Sequence, residues 1–196
     1  MKTLLLILIL VPMMSFGQIN DTITACDSLL YNGIYLTQSG NYYTFSQIGL
    51  DIDGEAGGDY SGFSTSLSAD GNILAIGALY NDGNGTYSGH TRIYSYDDIN
   101  HVWNQLGADI DGEAVSDKSG RSVSLSADGF IVAIGAPDND ENGSNSGHTR
   151  IYSYDNINDA WNQLGADIDG EGRSGFSVSL SDDGKTIAIG ATFAED

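Results

Sequence analysis

The stretch SGFSTSLSADGNILAIGA, residues 61–78, returns as SGRSVSLSADGFIVAIGAP at 119–137 and as SGFSVSLSDDGKTIAIGA at 174–191. Phe63, Thr65 and Leu67 alternate with Ser64, Ser66 and Ser68, the two-residue spacing of a β-strand. The later copies keep it, with Arg121, Val123 and Leu125 against Ser122, Ser124 and Ser126, then Phe176, Val178 and Leu180 against Ser177, Ser179 and Ser181. A face of serines is small enough to let a neighbouring sheet approach closely. Asp70-Gly71, Asp128-Gly129 and Asp183-Gly184 follow at once, dipeptides that favour a hairpin turn. A second strand is expected over 73–78, 131–136 and 187–191; it is apolar on both faces and should be covered on both.

These stretches belong to a longer period. Residues 47–104 and 105–162 are two units of 58 residues, identical at 41 aligned positions. A third, 163–196, is three residues shorter after Glu171. A third strand is expected over 90–96 and 148–154, and a weaker fourth over 103–110 and 161–168. Outside the N-terminus no window has helical periodicity. The pattern predicts an all-β protein of tandem four-stranded antiparallel blades, a partial and open β-propeller. A linear stack of β-units, or one continuous sandwich, is the alternative. Propellers close with about four to eight blades, so about two and a half units suggest part of a longer chain or assembly.

Composition narrows the partners. The 196 residues carry 27 Asp and Glu against 7 Lys and Arg, a formal charge of −20. Nucleic acid and anionic membranes would be repelled. Apolar residues at 40% allow a core, which argues against an acidic disordered tail. One cysteine, Cys26, permits neither an intrachain disulfide nor a cysteine-based zinc site. Residues 1–17 read as an export signal: Lys2, an apolar run over 4–11, Pro12, then Ser15-Phe16-Gly17 before a cleavage point at Gln18. The run is too short for a transmembrane helix. A lipobox ending at Cys26 is disfavoured by the polar Gln18, Asn20 and Asp21 before it. Secretion or display at the cell surface follows, with residues 18–46 as a short β-rich segment.

The quoted stretches resemble FG-GAP repeats, the blades of integrin-alpha-type propellers, in the form found in secreted bacterial surface proteins. The GAP half is intact at Gly135-Ala136-Pro137 and varied at Gly77-Ala78-Leu79 and Gly190-Ala191-Thr192. Phe63-Ser64 and Phe176-Ser177 stand for the FG half, and Arg121-Ser122 departs further. The resemblance covers 47–196; residues 21–45 are similar to short β-rich modules of bacterial surface proteins. It implies a non-enzymatic protein of adhesion or recognition, touching a protein or glycan ligand through loops on one face. In integrin-type blades the hairpin between the first two strands carries a calcium loop. Here that connection has shrunk to Ala69-Asp70-Gly71, too short for a cation wanting six to eight oxygens.

Acidic residues gather elsewhere, in the connections entering each unit and in those between strands two and three. In a meander both kinds of loop leave the sheet at one end. Asp51, Asp53, Glu55, Asp59 and Asp82 should share a face, joined by Asp109, Asp111, Glu113, Asp117, Asp138, Asp140 and Glu141 from the second unit and by Asp167, Asp169 and Glu171 from the third. Such a face serves solvation, calcium binding or direct capture of a ligand. Asp138-x-Asp140-x-Asn142-Gly143 opens like an EF-type calcium loop, although its twelfth position is Thr149 rather than glutamate. Trp103 and Trp161 are expected to pack between blades. Arg92 and Arg150 should pair with acidic neighbours. His90 and His148 share one repeat position at a strand start, as strand-edge hydrogen-bonding groups or, alternatively, as metal ligands beside the acidic loops. No nucleophile elbow, phosphate loop or zinc-protease helix is present, and duplicated blades argue against catalysis, which needs one asymmetric constellation. A secreted carbohydrate-binding or carbohydrate-active protein and a purely structural spacer are the competing readings.

Overall fold

A computed structural model describes residues 47–193 continuously and the backbone of four short strands before them. The export signal, Cys26 and the last three residues lie outside the described residues. The chain divides into two compact units at Ile48–Gly49. In the first, β1 (Gln18–Ile23) pairs antiparallel with β4 (Gly40–Phe45), and β2 (Leu29–Tyr31) with β3 (Ile34–Leu36).

The second unit holds the repeats, every described element a strand. The first blade runs β5 (Ser61–Leu67), β6 (Ile73–Ala78), β7 (His90–Asp97) and β8 (Val102–Gln105), with β9 (Ile110–Asp111) also on β7. The second repeats it as β10 (Ser122–Leu125), β11 (Ile131–Ala136), β12 (His148–Asp155), β13 (Ala160–Gln163) and β14 (Ile168–Asp169). A two-stranded sheet of β15 (Ser177–Leu180) and β16 (Ile187–Gly190) follows. The meander expected from the sequence is present, and the sheets stay open. The turn glycines Gly71, Gly129 and Gly184 take φ of 71°, 77° and 68°, the left-handed conformation that a side chain would strain.

The fourth strand is where the structure differs from expectation: it is two short pieces rather than one run over 103–110. The chain turns at Gly107, with φ +66°. There the Leu106 N–H still donates to the Ile93 carbonyl at 2.8 Å, while the Leu106 carbonyl turns to the next blade and accepts from Trp161 Nε1 at 2.9 Å. Trp161 therefore packs between blades.

The core is an interface. Ile73, Ala75, Ile93 and Ile110 of the first blade meet Val123, Leu125, Val132, Ile134 and Tyr152 of the second. The serine face does what its size allows. Ser64 Oγ donates to the Gly120 carbonyl (2.8 Å), and Ser66 Oγ accepts from the Leu125 N–H (3.0 Å). One blade later, Ser122 reaches the Gly175 carbonyl (2.8 Å) and Ser124 the Leu180 N–H (2.9 Å). Strands β5, β10 and β15 thus stand side by side, each locked to the next by hydroxyl groups.

Candidate functional site

The long loops meet at one end of the blades. The Asn81 amide, between β6 and β7, donates to Glu55 Oε2 (3.1 Å) and Asp59 Oδ2 (3.0 Å) in the loop entering the first blade. Asn84 Nδ2 donates forward to the Gly112 carbonyl (2.8 Å), and the Ser119 N–H to the Ser88 carbonyl (2.9 Å). The second blade repeats the fastening through Asn139 and Asp117 (3.0 Å) and through the Ser174 N–H and Ser146 carbonyl (2.9 Å).

Several of the expected acids act as fasteners here. Asp59 and Asp117 are buried, and each also accepts a backbone N–H, from Ala56 and Ala114. Asp82 accepts from the Tyr87 N–H (2.8 Å). Asp53 and Asp111 give their backbone carbonyls to Arg92 (2.8 Å) and Arg150 (2.7 Å), and Arg150 also faces Glu113 at 3.3 Å. Asp51 and Glu171 are exposed, and Asp169 lies opposite His148 in the β12–β14 pairing. Asp138 is held by Lys118 and Arg173, Asp140 accepts from the Asn145 N–H (2.6 Å), and Asn142 is exposed. The carboxylate read as the first calcium ligand is thus already neutralised by two cations of the chain.

Two clusters bring a histidine among carboxylates. His90 Nδ1 lies 3.4 Å from Asp109 Oδ2 and 3.8 Å from Glu55 Oε2. His148 Nδ1 lies 3.3 Å from Asp167 Oδ2 and 3.9 Å from Glu113 Oε2, and Glu141 completes that group. Both histidines are at most 1% exposed, and neither Nδ1 makes a hydrogen bond. Burial lowers the His90 pKa although Asp109 and Glu55 oppose it, which disfavours the charged imidazolium. Burial, then the Asp109 charge, pushes the Asp111 carboxyl up; burial also raises that of Glu113, with Arg150 opposing.

A different group lines a cavity of about 270 Å³ beside the starts of β5, β10 and β15: Phe63, Leu79, Tyr80, Lys118, Arg121, Asp138, Arg173 and Phe176. The Arg121 guanidinium sits 4.8 Å from the Phe63 ring centroid and 3.9 Å from that of Phe176. Tyr80 meets Tyr60 edge-to-face (5.1 Å) and Tyr87 at a tilt (5.0 Å), and both of those residues are exposed. The first two units differ at only 17 of 58 positions, yet every residue lining this cavity occupies one that differs. Phe63, Arg121 and Phe176 share one position; Tyr60, Lys118 and Arg173 share another; Tyr80 and Asp138 share a third. Nearly identical blades have built one asymmetric pocket. The sequence holds only a partial pointer to it, since four of the 17 differing repeat positions line the cavity.

The fold defines a class: tandem antiparallel blades of β-propeller type, with loops gathered at one end. Within that class, the chain carries an FG-GAP repeat, whose family model matches residues 108–152. No curated protein matches the chain. Among solved structures it is similar to a "putative 6-phosphogluconolactonase" from Bacteroides uniformis (16% identity, TM-score 0.48), covering 89% of this chain and 41% of that one. A second "putative 6-phosphogluconolactonase", from Bacteroides fragilis, gives 12% and 0.42, over 88% of this chain and 36% of that one. Kuenenia stuttgartiensis hydrazine synthase gives 13% and 0.40, over 73% and 33%. The chain spans less than half the length of each of these structures.

Proposed function

We propose that this chain is a non-catalytic recognition module of an exported protein, taking a protein or glycan ligand at the mouth of the Arg121 cavity, with the loop rim around it. One observation carries the reading: every residue lining that cavity sits at a repeat position where the units differ, so near-copies of one blade have produced a single, unrepeated pocket. Lys118, Arg121 and Arg173, three of the seven cations of a strongly acidic chain, line it against one carboxylate, Asp138. That balance suits a ligand with an anionic group, and the flanking rings offer an apolar or sugar face a surface to stack on. The exposed Tyr60 and Tyr87 rings favour a glycan as the second form of the ligand.

The test is to probe the full chain on a glycan array and on immobilised extracellular-matrix proteins, beside Arg121→Ser and Phe63→Ala. Binding lost in both variants while the fold persists supports the pocket. Binding indifferent to both substitutions removes it, and glycan hydrolysis by the wild type would replace recognition with catalysis.

A further inference from the structure

We infer that each of the two imidazole–carboxylate clusters is a binding site for a divalent first-row transition cation, for which zinc is the probe, and that the second site is the tighter.

The buried ring nitrogens come first. His90 Nδ1 and both nitrogens of His148 are sequestered from water without a hydrogen-bond partner, a costly state for polar atoms. The neighbouring Asp oxygens lie only 3.3–3.4 Å away, but the contacts lack hydrogen-bond geometry. That spacing is what two ligands of one metal show: tetrahedral zinc with bonds of about 2.0–2.2 Å separates its ligand atoms by roughly 3.3–3.6 Å. All ligand atoms of each cluster fall within 4.8 Å of one another.

The carboxylates are also oriented from outside. Asp109 Oδ1 accepts from Gln105 Nε2 and Asp167 Oδ1 from Gln163 Nε2, both at 2.6 Å, so that each Oδ2 is left to face the imidazole. Glu113 divides its oxygens in the same way, Oε1 towards Arg150 and Oε2 towards His148. Partners that pin one ligand oxygen while the other points inward are the outer shell a metal centre requires.

The ligand set selects the cation. Calcium wants six to eight oxygens, whereas an imidazole nitrogen among carboxylates suits zinc and its neighbours in the first row. The two sites differ at one ligand: Glu141 belongs to the second, and its counterpart in the first unit is Gly83. A bound ion would staple the strand-start histidine to the loop entering the blade and to the broken outer strand, fixing the rim.

Zinc titration of the metal-free full chain by calorimetry, read together with melting temperature, tests this. The expected result is two saturable sites of unequal affinity and a melting point raised by zinc but not by calcium. Glu141→Gln changes an exposed residue where the first unit has glycine, so the fold is retained. It should weaken the tighter site by roughly 10–100-fold, the range already seen for changes just outside a ligand shell. The Asp109→Asn/Asp167→Asn double variant should lose both sites, and cobalt in the wild type should give visible absorption that this variant lacks. Zinc binding that is absent, or is unchanged in Glu141→Gln and in the double variant, overturns the inference.

Discussion

A glycine can be required for the room it leaves as much as for its torsion angles. A Cβ on Gly77 would fall far inside contact distance of the Gly120 carbonyl oxygen, and one on Gly135 far inside that of the Gly175 carbonyl oxygen. At these points two blades touch backbone to backbone beside the serine hydroxyls. Gly77→Ala is expected to destabilise the protein by about 3 kcal/mol, the upper range for forcing a methyl into a packed interior, as measured by urea unfolding. Tyr154 offers a spectroscopic check. Its hydroxyl donates to Asp159 Oδ1 at 2.6 Å, and that bond pushes its pKa up to about 12. Burial also raises Tyr94 and Tyr152, so alkaline titration at 295 nm should show a late-titrating set in the wild type from which Asp159→Asn removes one tyrosine.

At the scale of elements, each first hairpin is held by a Ser-x-Asp turn. Ser68 Oγ donates to Asp70 Oδ1 (2.6 Å) and accepts from the Ile73 N–H (2.9 Å), and Asp70 also takes the Asn72 N–H (3.0 Å). Burial alone would raise the Asp70 carboxyl, but the bonds from Ser68 and Asn72 outweigh it and hold it low. In Asp183 the bond from Ser181 is the main cause of the same shift. A carboxyl with its folded pKa below the unfolded value stabilises fully above the unfolded value of 3.8 and loses that contribution as pH falls through the folded one. Asp70→Asn should therefore lower the melting temperature at pH 7 and leave it nearly unchanged near pH 2. These turns were legible in the sequence, as were β5, β6, β10 and β11, because two-residue alternation, short apolar runs and Asp-Gly dipeptides are local signals. The break at Gly107 was not, since it depends on Trp161 of the next blade arriving to bond the Leu106 carbonyl. The metal clusters were half legible. His90, Asp109 and Glu55 each stood out, but only the separate β9 pairing, which sets Asp111 opposite His90, carries Asp109 to the imidazole.

Across the whole molecule, equivalent residues meet different surroundings. Leu125 is 7% exposed because the first blade covers it, whereas Leu67, at the same repeat position, is 58% exposed. Leu125→Ala should cost about 2–5 kcal/mol, the usual range for a buried leucine, and Leu67→Ala close to nothing; denaturant melts of the two variants make the comparison. The serine contacts carry a kinetic consequence. Ser64 and Ser122 offer the same hydroxyl to the same carbonyl of whichever partner follows, so blade one is as well shaped for the β15 hairpin as for its proper neighbour. A refolding chain can dock those two directly and exclude the middle copy, a trap characteristic of tandem sequences of high mutual identity. Only the correct order slots the Arg121 guanidinium between two phenyl rings, which makes that sandwich a proofreading device for assembly.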